Sequence, residues 1–219
     1  MIARLIQSHP YRLIEFLVLC ITIPTLIIIN VWAPFMFFFL WAVCLYTFLI
    51  HRATQRESLR HMWNWGAVTW HNMKPVLVRW VLASIAMALF LWWYNGERLF
   101  YLPQNSPQII FALFFLYPVL SALPQEFIFC TFFFDRYKRY FGAGMGMVLA
   151  SAIAFAYAHV LYINPVAPLL SFFGGLIFAL TYMKHRSLAL VTIEHGLYGN
   201  SLFIIGLGWY FYSGAVVGG

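Results

Sequence analysis

Apolar residues come in long runs broken by short polar stretches, and the length of each run organises the chain. A helix needs ~20 apolar residues to cross the hydrocarbon of a bilayer. Runs of that order predict spans over 13–29, 31–50, 76–94, 109–134, from the GAGMGM stretch to about 162, over 169–183, and from 187 to about 208. The segment 209–217 is either a short interfacial tail or an eighth, partial span, and seven spans with a tail is the preferred layout. Pro24 kinks the first span, Pro34 falls in the first turn of the second, and Gly174-Gly175 lets the sixth approach a neighbour closely. The stretch 51–75 is the most polar. There Leu59, Trp63, Ala67, Trp70 and Met73 recur at helical spacing opposite Arg56, Arg60, Asn64 and His71, which predicts one interfacial amphipathic helix. The expected fold is an all-α polytopic membrane protein, a bundle of seven or eight transmembrane helices plus that interfacial helix, in a single integral domain over 1–219.

Composition sharpens this picture. Hydrophobic residues are 63% of the 219 and charged residues only 9%, against roughly a quarter charged in soluble domains. A net charge of +7 would suggest nucleic acid in a soluble protein. Here the basic residues sit in short loops, where they set topology and meet anionic headgroups, so no nucleic-acid partner is expected. Arg4, Arg12, Arg52, Arg56, Arg60, Lys74, Arg79, Arg136, Lys138, Arg139, Lys184 and Arg186 fall to one face and Arg98 alone to the other. That asymmetry places the chain in the cytoplasmic (plasma) membrane with its N-terminus cytoplasmic and its C-terminus outside. The start, MIARLIQSHPYR, lacks a small-residue cleavage site and reads as leading into an uncleaved first span. Cys20, Cys44 and Cys130 lie inside apolar runs without paired spacing, against a disulfide framework or a zinc ribbon.

Of six acidic residues, Glu15, Glu57, Glu97 and Asp135 fall near span ends or in loops and read as solvated or capping groups. Glu126 and Glu194 lie deep, where a carboxylate must be paired, protonated or near water. Gln125 precedes Glu126, and Cys130 follows one turn on, on the same helix face. His159 ends the run Phe155-Ala156-Tyr157-Ala158-His159. His195 lies in EHGLYGN with Glu194 before it and Gly196, Gly199 and Asn200 after it. Glu126 and His195 are each ~12–14 Å from the cytoplasmic ends of their helices, so they can meet. His159 is ~24 Å in if its helix begins at Ala143, and ~16 Å if it begins at Val148. A carboxylate with two imidazoles can activate water and stabilise an oxyanion. The same Glu126, His159 and His195 could instead hold a divalent metal, or the two histidines a haem, although HExxH and histidine-box spacings are absent. His51, His61 and His71 read as interfacial.

Three short signals on separate spans, in order, resemble the CPBP family of CAAX proteases and bacteriocin-processing enzymes, also called Abi. The family pattern is EExxxR, then FxxxH, then HxxxN. Here the counterparts are Gln125-Glu126-Phe127-Ile128-Phe129-Cys130, Phe155–His159, and His195-Gly196-Leu197-Tyr198-Gly199-Asn200. The resemblance implies an intramembrane endopeptidase of glutamic type without a cofactor, its core over about 109–208, acting on a membrane-anchored protein or peptide. It assigns catalysis to Glu126, His159, His195 and Asn200, with Gln125, Glu194 and Cys130 as substrate-positioning groups. This chain departs from the pattern where Gln125 replaces the first glutamate, where Cys130 replaces the arginine, and where Asn200 comes five residues after His195. The alternative is therefore a catalytically inactive relative that binds a partner's transmembrane segment.

Overall fold

The computed structural model describes residues 5–30, 32–55 and 58–211. Arg4, Val31, Arg56, Glu57 and the segment 212–217, on which expectations above fall, lie outside the described residues. Among the described residues there is no strand, and seven helices are long and apolar enough to cross a membrane. We number them α1 (His9–Ile29), α2 (Ala33–Thr54), α3 (Trp70–Arg98), α4 (Pro107–Arg136), α5 (Met145–Tyr162), α6 (Val166–His185) and α7 (Leu188–Ile205). Leu207–Phe211 follows as a short 3-10 turn.

The most apolar stretch of α7 is 61% buried, against 11% for α2 and α4. α7 is thus the axis of the bundle, packed by α3, α4 and α6, while Leu82, Trp93, Phe111 and Phe38 on the outer helices point outward. That distribution is what a bilayer solvent demands, since lipid covers apolar side chains that water would not. Gly175 does what small residues do in membranes: a Cβ there would stand 3.1 Å from Ala152 Cα, so its absence lets α5 and α6 close up.

Prolines shape α4. Pro118 and Pro124 have no N–H to donate, so the carbonyls of Phe114 and Leu120 lose their usual partners one turn back. π-type turns occupy Pro118–Ala122 and Phe127–Phe132, on either side of Leu123–Glu126. Neighbouring helices take up the freed carbonyls. The Trp41 indole N–H donates to Leu120 O at 3.1 Å, and the Asn200 amide donates to Phe114 O at 3.4 Å. Ser151 donates to Phe129 O within the second π turn at 2.7 Å.

The single interfacial helix expected over 51–75 is not formed. α2 runs on to Thr54, a short helix covers Leu59–Trp63, and α3 begins at Trp70. The break is at Asn64, whose left-handed φ of 43° ends the short helix, and whose amide donates to His185 O at 3.0 Å. Ser187 donates to the Trp63 and Asn64 carbonyls, so this segment is clamped to the α6–α7 turn. His51, expected at the interface, is instead 3% exposed on α2, its ring edge-on to Phe127 and its Nδ1 3.9 Å from Asp135.

Two carboxylates expected to be solvated are also paired. Glu15 is 5% exposed and receives Arg136 Nε at 2.6 Å, with Tyr46 donating to its other oxygen at 2.8 Å. Arg136 also donates to Ile6 O, so one guanidinium ties the start of the chain to the end of α4. Asp135 pairs with Arg186 across the α4 and α6 ends.

Candidate active site

Glu126 sits on the α-helical turn between the two π segments of α4 and is 1% exposed. Its Oε1 lies 2.7 Å from His195 Nδ1 on α7. With the carboxylate ionised, Nδ1–H donates and Nε2 is left as an acceptor. The phenol of Tyr117 stands 2.9 Å from that Nε2, so Glu126, His195 and Tyr117 form one hydrogen-bonded chain. The imidazole is wedged flat against Phe178, with centroids 4.5 Å apart, and edge-on to Phe155 at 5.8 Å. Packing against Phe178 and Phe155 fixes the ring, and the two hydrogen bonds fix its tilt.

His159 approaches the same place from α5. It caps the C-terminus of the helical stretch Met145–Ala158, and its Nδ1 donates to Phe155 O at 2.7 Å, leaving Nε2 as an acceptor. Phe155 touches both imidazoles, His159 at 4.6 Å between centroids and His195 at 5.8 Å. The structure thus places both histidines about one phenylalanine. Among the described residues, no group of three His, Cys, Asp or Glu side chains converges closely enough to hold a metal.

A cavity of about 750 Å³ opens on this constellation, with Tyr117, Gln125, His159 and His195 in its wall. Glu126 is not in the wall but behind His195. Gln125 donates to Ser121 Oγ at 2.9 Å, and both residues also border a smaller cavity of about 130 Å³ on the α1–α2 side. Gln125 therefore stands between two apolar spaces.

Two of the candidate residues lie elsewhere, and a third meets Glu126 without a charge. Asn200 serves the Phe114 carbonyl and is not in the cavity wall, because five residues on a regular helix turn it well away from His195. Glu194 is fully buried, but its Oε1 receives Arg79 at 2.8 Å, and the same guanidinium donates to Thr181 at 3.1 Å. Arg79, expected on the basic face, reaches in from an exposed position on α3 as the counter-ion of Glu194. Cys130 is buried beside the aromatic core with its thiol in hydrogen-bonding reach of Glu126, where it brings no cation.

Tyr117 was not singled out by sequence reasoning, since it lies in an apolar run and is one of 13 tyrosines in the chain. The available signal was in the glycines. A Cβ on Gly199 would lie 2.0 Å from the Tyr117 ring, and one on Gly196 would lie 3.1 Å from Pro118. Two glycines one and four residues after a buried histidine mark the place where a neighbouring helix brings its side chains in.

Residues 107–200 match the family model described as Rce1-like, type II CAAX prenyl endopeptidase Rce1-like. The resemblance read from the three motifs is therefore found again over the same part of the chain, from α4 through the Asn200 turn of α7. That family is a protease family whose substrates are membrane-anchored, in keeping with a multi-pass bundle. No curated protein and no solved structure matches the chain.

Proposed function

We propose that this chain is an intramembrane endopeptidase in which Glu126 and His195 act together as the base that activates water. The observation that carries this reading is the 2.7 Å contact between a 1% exposed carboxylate and an imidazole in the wall of the 750 Å³ cavity. A buried carboxylate facing a histidine and no cation is costly unless the pair shares a charge, and sharing a charge is what a water-activating dyad does. His195 is the member that reaches the cavity. It takes the proton of the attacking water by way of the Tyr117 hydroxyl, and Glu126 stabilises the imidazolium that results. His195 Nε2–H then donates to Tyr117, which frees the phenol proton for the oxyanion on the scissile carbonyl. His159 faces the same space as a second polar contact, and Gln125 positions the substrate backbone from the opposite wall. Asn200 acts at one remove, by holding α4 at Pro118. The substrate is a membrane-anchored protein or peptide with a helix-broken segment, because an intact helix hides its peptide groups. The enzyme lies in the cytoplasmic membrane with its basic loops and N-terminus inside.

The test compares new protein termini in membranes of cells carrying the native chain or Glu126→Gln at matched levels. Termini present only with the native chain are expected, and the purified variant should lose activity on that substrate by about 10²–10⁴-fold. Full activity in Glu126→Gln sinks the proposal.

The departures at Gln125 and Cys130 favour a second reading, a non-catalytic protein that holds a partner's transmembrane segment. In that case Glu126→Gln and His195→Ala leave function intact, while Gly175→Leu, which forces α5 and α6 apart, abolishes it.

A further inference from the structure

A polar cluster at the start of α1 lies outside both cavities. Ser8 is the N-cap of α1, and its hydroxyl caps no backbone N–H. Arg12 lies one turn on, its N–H donating to Ser8 O at 3.2 Å, and Glu15 follows on the same face. Against that face stands Arg136, whose side chain is 3% exposed. Two of its nitrogens are occupied. Nε and Nη2 donate to the Glu15 carboxylate, and Nη2 also reaches Ile6 O at 2.6 Å. Nη1 shares the planar fork with Nη2, so it lies at the same end, by the Ile6–Ser8 turn. Nη1 is buried without a partner, and so are Ser8 Oγ and Arg12 Nε. No acidic side chain among the described residues pairs with Arg12. Glu15, by contrast, is saturated: Tyr46 donates to its Oε1, while Arg136 takes both oxygens.

We propose that Ser8, Arg12 and Arg136 seat one phosphate group at the basic end of the bundle. Buried donors without an acceptor are costly, and three of them from two helices are what the oxygens of one anion satisfy. The first turn of α1 adds its own N–H groups and the positive end of its dipole. Charge selects the form of the group. Arg136 and Glu15 cancel, so Arg12 leaves the site one positive charge, which suits the single negative charge of a phosphodiester. Position selects the source. Leu5, Leu13, Ile14 and Leu17 beside the site are exposed, and acyl chains lying along α1 would cover them. The phosphate is therefore that of an anionic phospholipid headgroup rather than free phosphate. The frame is held from both sides. The Tyr140 hydroxyl donates to His9 O at 2.9 Å with its ring against His9, and the Tyr11 ring lies 5.9 Å from Arg136 Cζ. The site is distinct from the Glu126–His195 pair, and the inference does not depend on the endopeptidase reading.

The test uses the full chain in dodecyl maltoside and needs no substrate. Phosphatidylglycerol and phosphatidylcholine with the same acyl chains are titrated in turn, and the lipids retained are counted by native mass spectrometry. We expect one phosphatidylglycerol to be held about tenfold more tightly than phosphatidylcholine. Arg12→Gln should remove that preference, Arg12→Lys should restore part of it, and Ser8→Ala should weaken it a few-fold. Arg12 has no partner to lose, so Arg12→Gln should melt at the native temperature when no lipid is added. Arg139→Gln, at an exposed position outside the cluster, should bind as the native chain does. Equal retention of the two lipids overturns the proposal. So does an equal loss in Arg12→Gln and Arg139→Gln, which identifies a diffuse basic surface. Excess inorganic phosphate should leave the lipid in place. If it displaces the lipid with the same dependence on Arg12, the phosphate site stands and its source is free phosphate.

Discussion

Tyr117 and Gly199 form a matched pair. The phenol reaches His195 because the residue beneath its ring has no side chain, and each therefore makes a separate prediction. Tyr117→Phe keeps the ring contacts with His195 and Phe203 and removes only the hydroxyl. It should lower kcat about tenfold or more while leaving KM and thermal stability near native values, as read by steady-state kinetics on the identified substrate. Gly199→Ala should act differently, displacing the whole ring and lowering both activity and melting temperature in detergent. Equal effects of the two changes would show that Tyr117 matters only as packing. The meeting of Glu126 with His195 was legible in the sequence, because two ionisable groups at similar depth in apolar helices need one another. Tyr117 was not legible, because a tyrosine in an aromatic-rich span has nothing to distinguish it until the facing glycine is placed.

α4 was predicted as a span, and its length and position hold within a turn or two. Its interior was not predictable by residue counting. Pro118 and Pro124 say that the ladder is interrupted, but not which carbonyls are freed or who takes them. The Asn200–Phe114 contact follows from Pro118, and this can be measured by a double-mutant cycle. Asn200→Ala should cost about 0.5–1 kcal/mol in the native background and close to nothing with Pro118→Ala, whose restored N–H satisfies the carbonyl from within α4. Equal costs in both backgrounds would contradict that account. The segment over 51–75 shows the opposite limit. Its apolar spacing is helical, yet Asn64 and Gly66 divide it, and Trp70 and Met73 belong to the next span. Periodicity found the residues but not the break.

The bundle is fastened at its basic end by ion pairs that join distant parts of the chain. Arg136 of α4 holds Glu15 of α1, both within the protein and away from water. Removing one partner strands a buried charge. Glu15→Gln or Arg136→Met alone should therefore cost about 3–5 kcal/mol, and the double substitution clearly less than their sum, read by unfolding in mixed micelles. Glu15 was expected to be solvated because nothing local marks its partner 121 residues on. Seven spans were legible because hydropathy is a property of each run taken alone. Pairing between runs is not such a property, so Arg79 with Glu194 and Arg136 with Glu15 could only be seen once the helices were assembled.

The π turn over Phe127–Phe132 has a genetic consequence. A turn closed by i→i+5 bonds holds one residue more than an α-helical turn, so it behaves as a single-codon insertion absorbed inside a helix. Removing one residue between Phe127 and Phe132 should be tolerated as a span, since the helix can relax to regular α geometry. Because the deletion removes the residue that the wide turn absorbs, the helix beyond it keeps its faces, and Arg136 should stay anchored to Glu15.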